Sequence, residues 1–163
     1  MMQNDLSNLV DRLSDAGVEF VIIGGLAGII HGSNRANQGI EVCCKFTPEN
    51  LFKLFDAIKN ANPVHRMSPN RPVLILNSEN ADKFKNLYLD TDIGQLDCLD
   101  EVQGIGNFDE VCKNAIFVQV GGKNYQVLSL DALIKSKKSL NRPTDKQDVI
   151  QLQAIKQAQQ SEK

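Results

Sequence analysis

The fold is decided by residues 21–42, which read VIIGGLAGIIHGSNRANQGIEV. They begin inside the segment Val18–Ile23, whose short β-branched run predicts a buried strand. The strand stops at Gly24-Gly25, and the small apolar residues of Leu26–His31 predict a short helix. Two glycines at a strand-to-helix junction let the backbone approach a ligand closely, and the N–H groups at the helix start favour a phosphate. A tight structural turn would need the same glycines, so both interpretations stand.

A second strand is predicted directly after this junction. The segment Gln38–Phe46 alternates in polarity with a period of two, as a strand with two different faces does. One face is apolar, and the other carries Gly39, Glu41 and Cys43. A carboxylate is therefore expected on the exposed face of the strand that follows the glycine pair.

Hydrophobic periodicity predicts the remaining elements on both sides of this stretch. Helices are predicted over Asn4–Asp15, from the cap Thr47 and Pro48 to Ile58, over one turn at Ala81–Leu87, and over Phe108–Ala115, Leu130–Leu140 and Thr144–Gln157. Strands are predicted over Val73–Leu76, Ile93–Leu99, and a hairpin of Ile116–Val120 and Tyr125–Leu128. Asn141 or Thr144 is expected to cap the last helix. This order predicts an α/β (α+β) fold with a short mixed β-sheet flanked by helices and a helical C-terminus.

The length and composition are those of one globular domain. The 163 residues predict a single domain over 1–163, with a core at about 1–128, C-terminal helices at about 129–157 and a frayed tail at 158–163. Hydrophobic residues at 42% and charged residues at 23% exclude a largely disordered chain. A net charge of -2 argues against a general polyanion binder. We expect no membrane partner, because no apolar run reaches the roughly 18 residues that a spanning helix needs.

The cysteines and histidines do not form a metal-binding pattern. The four cysteines make no C-x-x-C pair, and the chain has two histidines, so a structural zinc site is disfavoured. The N-terminus lacks the features of a secretory signal. We therefore expect buried, reduced thiols and a cytoplasmic location. His31 is expected to bond to the backbone at the end of its short helix.

Residues 21–42 resemble the opening of the minimal nucleotidyltransferase superfamily, in particular its abortive-infection and toxin–antitoxin branch. In that family a strand ends in Gly-Gly, a short helix leads to His-Gly and Arg, and the next strand carries Asp-x-Asp. Downstream, residues 93–111, IGQLDCLDEVQGIGNFDEV, resemble the family strand with a third acidic residue, here Asp97. Residues 128–152, LSLDALIKSKKSLNRPTDKQDVIQL, resemble its closing helices. The resemblance covers about residues 18–152.

The resemblance implies a nucleotidyltransferase-like fold and a nominally Mg²⁺-dependent transfer of a nucleoside monophosphate from an NTP to an RNA or protein acceptor. It assigns catalysis and metal binding to Glu41 and Asp97. The residues that it implies for the NTP phosphates are Gly24, Gly25, Arg35, Lys137 and Arg142. A solvated helix face would explain Lys137 and Arg142 equally, and two unrelated solvated acids would explain Glu41 and Asp97.

The chain departs from the family pattern at the acidic strand. Gly39-Ile40-Glu41 stands where the family has Asp-x-Asp, so one ligand is missing and one carboxylate is a methylene further out. Two Mg²⁺ ions need near-ideal octahedral oxygen ligands. We expect weak or lost turnover and a weakly held Mg²⁺. Asp90, Asp92 and Asp100 are nearby acids that could compensate, or they could form a solvated acidic turn.

Three functions therefore remain open from the sequence. The first is a nucleotidyltransferase with reduced activity. The second is a catalytically inactive pseudoenzyme that binds a nucleotide or a partner protein, in a toxin–antitoxin or phage-defence context. The third is an antitoxin-like interaction protein that works through its helices. The substitution of a metal-ligand position by Gly39 favours the second over the first.

Overall fold

The computed structural model describes residues 2–34 and 39–161. In chain order the elements are α1 (Met2–Asp15), β1 (Phe20–Ile23), α2 (Gly24–His31), β2 (Gly39–Cys44), α3 (Pro48–Ile58), a 3-10 turn (Lys59–Ala61), β3 (Val64–His65), β4 (Asn86–Thr91), β5 (Gly94–Leu99), β6 (Glu101–Val102), β7 (Gly106–Asn107), α4 (Phe108–Lys113), β8 (Ala115–Val120), β9 (Lys123–Leu128), α5 (Leu130–Leu140) and α6 (Pro143–Ser161). The chain divides into two compact units, residues 1–20 with 38–100 and residues 21–37 with 101–163. The mixed α/β class with flanking helices and a helical C-terminus is confirmed.

The first unit is built on a mixed sheet with the strand order β3-β4-β5-β2. Strands β2 and β5 run parallel, whereas β4 pairs antiparallel with both β3 and β5. The inward-facing side chains of these strands and the apolar faces of α1 and α3 are buried, among them Leu9, Leu13, Ile40, Val42, Leu51, Leu54, Leu87, Leu89 and Leu96. This packing fixes the register of the strands, since a one-residue slip would turn the apolar face to solvent.

Helix α3 begins as its sequence predicts. The Thr47 hydroxyl accepts a hydrogen bond from the Asn50 backbone N–H at 3.3 Å, and Pro48 occupies the first turn. Asn50 is buried, and its side-chain amide donates to the carbonyls of Glu19 and Lys45 at 3.0 and 2.9 Å. One side chain thereby ties the start of α3 to the residue before β1 and to the residue after β2.

In the second unit the strand order is β1-β9-β8, in which β1 and β9 are parallel and β8 and β9 antiparallel. The predicted hairpin is confirmed: its turn is Gly121-Gly122, with φ of 59° and 83°. Two consecutive residues with positive φ are what a two-residue hairpin turn requires. His31 Nε2–H donates to the Leu128 carbonyl at 2.8 Å, which confirms the backbone bond expected for this residue.

Helix α5 spans Leu130–Leu140, as predicted, whereas α6 starts and ends differently from the prediction. Ser129 caps α5, and Asn141 ends it with a φ of 55°, so Asn141 does not cap α6. The Asp145 carboxylate instead accepts the Arg142 backbone N–H at 3.2 Å, just before Pro143 starts α6. The predicted caps, Asn141 and Thr144, were therefore wrong. The helix also continues to Ser161, past the predicted end at Gln157.

Two predictions between α3 and β5 were wrong. Val73–Leu76 is not a strand: Val73 makes a single bridge to Val64. Ala81–Leu87 is a turn that leads into β4, a strand that the sequence analysis missed. The alternation of buried Leu87 and Leu89 with the exposed Asn86 and Tyr88 is visible in NLYLDT.

The cysteines of strands β2 and β5 lie in the protein interior. Cys43, Cys44 and Cys98 are buried, as expected, whereas Cys112 is half-buried. A hydrogen bond with Cys98, together with burial, raises the pKa of the Cys44 thiol well above its ordinary value. Among the described residues, no helix has the length and apolar content that crossing a membrane requires.

Candidate functional site

Glu41 and Asp97 lie opposite each other on neighbouring strands of the first unit. Strand β2 pairs with β5 in a register that sets Glu41 against Asp97. Adjacent strands are about 4.8 Å apart, and directly paired residues of neighbouring strands share a face. Both residues are half-buried. Two segments far apart in the sequence thus bring two carboxylates together, with Gly39 two residues before Glu41 on the same face.

The Arg66 guanidinium forms a bidentate ion pair with the Asp97 carboxylate through both of its terminal nitrogens. Nη1 donates to Oδ1 at 2.7 Å and Nη2 to Oδ2 at 3.0 Å, and Nη1 also donates to the Leu89 carbonyl at 3.1 Å. The side chains of Arg66 and Asp97 are only 19% and 20% exposed. A bidentate pair of this geometry is among the strongest charge-assisted contacts in proteins. Asp97 therefore already has a cation on both oxygens.

The charges around Arg66 favour its protonated form. The hydrogen bond to Asp97 raises the pKa of the Arg66 guanidinium, and the negative charges of Asp97, Asp90 and Glu41 add to the rise while burial opposes it. Arg66 is therefore a positive charge in direct contact with Asp97 and within the electrostatic influence of Asp90 and Glu41.

Arg66 is the residue that sequence reasoning missed. Its backbone N–H donates to the Tyr88 carbonyl at 2.9 Å, just beyond the pairing of β3 with β4. Tyr88 is in turn paired with Asp97. Arg66, Tyr88, Asp97 and Glu41 therefore form one row across four neighbouring segments. The segment from 60 to 71 is rich in Pro, Asn and Ser, and the two-residue strand β3 within it gives almost no periodic signal.

Two of the three nearby acids considered as substitutes for the missing ligand, Asp90 and Asp92, also have side-chain partners. Asp90 is paired with the guanidinium of Arg71. Asp92 accepts a hydrogen bond from the Asn62 side-chain amide at 2.5 Å. These contacts hold the Asp90-Thr91-Asp92 turn beside the row, so both carboxylates have a structural role.

Gly39 stands where a side chain has no room. A Cβ at this position would lie 2.5 Å from Gln95 Cβ and 2.9 Å from Gln95 O, which is closer than real Cβ atoms approach. The cause is the register of β2 with β5, which sets Gly39 directly against Gln95. Glycine is therefore required by the strand pairing itself.

The donor set of this row does not match a two-Mg²⁺ centre. Such a centre needs several carboxylate oxygens open to the ions in octahedral geometry. Here Gly39 supplies no ligand and Asp97 is held by Arg66. Within residues 2–34 and 39–161, no three His, Cys, Asp or Glu side chains are grouped as a metal would need. The metal-binding roles of Glu41 and Asp97 stay predictions from the resemblance.

The glycine pair of the second unit lies at the start of α2. Gly24 has a φ of 64°, and no side chain caps the helix at Ile23. Gly24 and Gly25 border a small cavity of about 20 Å³, whose other lining residues are Gly28, Ser33, Leu133, Lys137, Asp148 and Leu152. This volume holds about one water molecule, so a larger ligand could only contact the helix start from outside.

Lys137 and Arg142 converge on a buried carboxylate. Asp145 is 1% exposed and is bonded by Arg142 Nε at 2.6 Å and Nη2 at 3.2 Å. Lys137 Nζ lies 3.1 Å from Asp148 and 3.7 Å from Asp145. The hydrogen bond from Arg142 lowers the pKa of the Asp145 carboxyl, against the effect of burial. Lys137 therefore joins α5 to α6, and Arg142 ties the turn between the helices to the first turn of α6. Arg35, the third predicted cation, lies outside the described residues.

The chain is similar in fold to a solved structure. The chain is similar to the solution structure of the antibiotic-resistance factor ANT(2'')-Ia, a nucleotidyltransferase, with a TM-score of 0.52 and 12% identity. The match covers 99% of this chain and 95% of that one. No protein-family model matches the chain, and no curated protein matches it either. The chain therefore has a nucleotidyltransferase-like fold.

The first prediction concerns Gly39. Gly39→Ala should lower the free energy of unfolding by roughly 1–3 kcal/mol, because the new methyl must push β2 away from β5. Gln95→Gly in the same chain should restore part of the loss, since it removes the Cβ that the methyl meets. Gly28→Ala is the control, because its Cβ would have no neighbour nearer than 3.6 Å. Urea unfolding that finds both alanine variants equally stable would contradict the steric account.

The second prediction concerns Arg66. Arg66→Met should lower the free energy of unfolding by about 2–4 kcal/mol in EDTA, because it leaves a mostly buried carboxylate without its cation. Calorimetric titration should also show that this variant gains binding of one Mn²⁺, whereas the wild type does not. Arg71→Met is the matched control: its partner Asp90 lies in a more exposed ion pair, so the variant should gain no Mn²⁺ site. Equal Mn²⁺ affinity in wild type and Arg66→Met would contradict this account.

The third prediction concerns pH and Asp145. Since its folded pKa is lowered, Asp145 stabilises the protein fully above its unfolded pKa of about 3.9, and the contribution is lost as pH falls through the folded pKa. Asp145→Asn should cost about 1.5–3 kcal/mol at neutral pH. The difference from wild type should shrink in acid, as followed by thermal melts across pH. Asp131→Asn, whose carboxylate is 73% exposed, serves as control, and a pH-independent difference for Asp145→Asn would refute the assignment.

Proposed function

We propose that this chain is a nucleotide-binding protein with a nucleotidyltransferase-like fold that no longer carries out metal-dependent transfer. The observation that carries the proposal is the hold of Arg66 on both oxygens of Asp97, at 2.7 and 3.0 Å. A carboxylate engaged in this way cannot also present its oxygens to two metal ions. The proposal corresponds to the pseudoenzyme alternative raised by the sequence.

The ion pair of Asp97 supports a stable, metal-free arrangement. Two-metal transfer relies on divalent ions to neutralise the charge that develops on the transferred phosphoryl group. In this chain the Arg66 guanidinium already neutralises Asp97, and Asp90 has its own partner in Arg71. A divalent ion would have to displace a mostly buried arginine, which costs the full energy of that ion pair.

The nucleotide contact is proposed at the start of α2. A helix start without a capping side chain offers backbone N–H groups and a positive end to a phosphate. The first turn holds no acidic residue that would repel one. Because the adjoining cavity has room for only about one water, the phosphate would rest on Gly24 and Gly25 from outside. Arg35 remains a proposed further cation, and Lys137 and Arg142 would act mainly by holding α5 and α6 together.

The rival function is a weak nucleotidyltransferase in which Glu41 and Asp97 hold one Mg²⁺. The facing positions of the two carboxylates favour it. An RNA or protein acceptor belongs to this alternative. The cytoplasmic location, a partner protein and a toxin–antitoxin or phage-defence context are proposals that rest on the sequence resemblance alone.

The fourth prediction separates these functions. Labelled NTPs should bind saturably in Mg²⁺ and equally in EDTA, and no label should pass to RNA, to added protein or to the chain itself. Gly25→Asp should weaken binding roughly tenfold or more, because it sets a negative charge where the phosphate would lie. Gly25→Ser is the neutral control and should bind within a factor of about 2.

Two results would overturn the proposal. Label transfer in Mg²⁺ that disappears in Asp97→Asn would establish the rival transferase. Absence of saturable NTP binding, with or without metal, would remove the nucleotide from the proposal and leave an interaction protein.

A further inference from the structure

Helices α5 and α6 border an open groove on one side of their hairpin. The groove has a volume of about 420 Å³, a size at which small-molecule sites are found. Its residues on α5 are spaced three and four positions apart, so they occupy one face of that helix. The lining residues of this α5–α6 groove are Asp131, Ile134, Lys135 and Lys138 of α5 and Gln153 and Lys156 of α6.

The α5–α6 groove carries more positive than negative charge. Its lining residues include three lysines and one carboxylate. Lys156 Nζ lies 2.7 Å from Asp131 Oδ1, so these two charges offset each other. Lys135 and Lys138 are exposed, and no acidic side chain within residues 2–34 and 39–161 forms an ion pair with either of them. The groove therefore keeps an excess of two positive charges.

The lysines of α5 differ in how their charge is balanced. Lys137 is paired with Asp145 and Asp148 of α6. Lys135 and Lys138 line the groove about one helical turn apart, a spacing at which like charges repel. The α6 residues that line the groove with them contribute an amide and a further lysine, and no carboxylate. An anion from outside the chain would relieve this repulsion, as Asp145 and Asp148 supply a countercharge to Lys137.

The groove is part of a wider charge asymmetry. The unit of residues 21–37 and 101–163 has 10 Lys and Arg and 7 Asp and Glu, whereas the unit of residues 1–20 and 38–100 has 8 and 13. The net charge of -2 is thus composed of +3 on the second unit and -5 on the first. The acidic charge of the whole chain hides a basic unit, and local positive charge concentrates anions near its surface.

We propose that the α5–α6 groove binds a compact anion that carries two or more phosphate groups. Its cations are all lysines, which bind phosphate as point charges, whereas the planar fork of arginine is the usual partner of a carboxylate. The groove contains no aromatic residue on which a base could stack, so it would recognise phosphates and not a nucleoside.

The dimensions of the groove favour a compact ligand over a polynucleotide. Asp131 and Lys138 are seven residues apart on α5, which is about 10 Å along the helix axis. Proteins that bind nucleic acid through its backbone typically make roughly six to ten phosphate contacts. Three ammonium groups, one of them paired with Asp131, are too few for such a surface.

Calorimetric titration with inorganic pyrophosphate tests this proposal, in metal-free buffer of low ionic strength. The full chain should bind pyrophosphate saturably. Lys135→Gln and Lys138→Gln should each weaken binding about threefold to tenfold, because each removes one charge-assisted contact. Amide NMR shifts should change on titration over residues 131–138 and 153–156. Circular dichroism melts establish that the variants are folded.

Lys146→Gln is the matched control for the two lysine variants. Lys146 is exposed on α6 outside the groove, and its substitution makes the same change in net charge. Pyrophosphate affinity should stay within a factor of about 2 of wild type, because solvent and salt screen a distant charge. An equal loss in all three variants would reveal a response to net charge and would overturn the groove as a site.

Gly25→Asp separates this site from the proposed nucleotide contact at the start of α2, on which the proposal does not rest. Pyrophosphate should bind this variant as it binds wild type. ADP titrated into the same variant distinguishes the sources of the phosphates. An affinity within about threefold of that for pyrophosphate is expected, since no aromatic residue lines the groove. A much higher affinity for ADP would overturn recognition of the phosphates alone.

Three further results would overturn the proposal. The first is the absence of saturable pyrophosphate binding at low ionic strength. The second is binding that Lys135→Gln and Lys138→Gln leave unchanged but Gly25→Asp removes, which would place the anion at α2. The third is tighter binding of a single-stranded RNA than of pyrophosphate through the same two lysines, which would assign the groove to a polynucleotide.

Discussion

The candidate site of the first unit depends on one interaction, the bidentate ion pair between Arg66 and Asp97. It joins the segment after β3 to β5 and crosses the position of Tyr88 to do so. The pair gives the half-buried Asp97 carboxylate a positive partner. The negative charges of Glu41 and Asp90 also act on the same guanidinium. Burying acids is costly unless they are paired and hydrogen-bonded. Asp97 therefore has its countercharge within the chain and does not depend on a bound cation for one.

The second unit uses its cations in a similar way. Lys137 lies in α5 and Arg142 in the turn before α6, and both contact the buried Asp145. The basic residues that resemble a phosphate-binding surface in the sequence thus also form ion pairs within the protein. The ion pairs of Lys137 and Arg142 with Asp145 and Asp148 therefore account for both cations without a phosphate ligand. In both units, then, positive charge is committed to internal carboxylates.

Much of the fold follows from the sequence, and the limits have physical causes. The meeting of Glu41 and Asp97 was expected from the family resemblance, whereas strand alternation indicated only the face of Glu41 on its own strand. The capping of α3 by Thr47 is a local contact and was predicted correctly. Arg66 could not be placed, since its position depends on a two-residue strand. The steric need for Gly39 was equally hidden, because it arises from Gln95 on a partner strand distant in sequence.

The most direct test of the central claim is anomalous diffraction from crystals grown with Mn²⁺ and a nucleoside triphosphate. We expect no manganese within ligand distance of Glu41 or Asp97. We also expect the Arg66 guanidinium to keep its hydrogen bonds to both oxygens of Asp97. A manganese ion bound to Asp97, with Arg66 turned away from it, would contradict the account and restore the metal-dependent transferase.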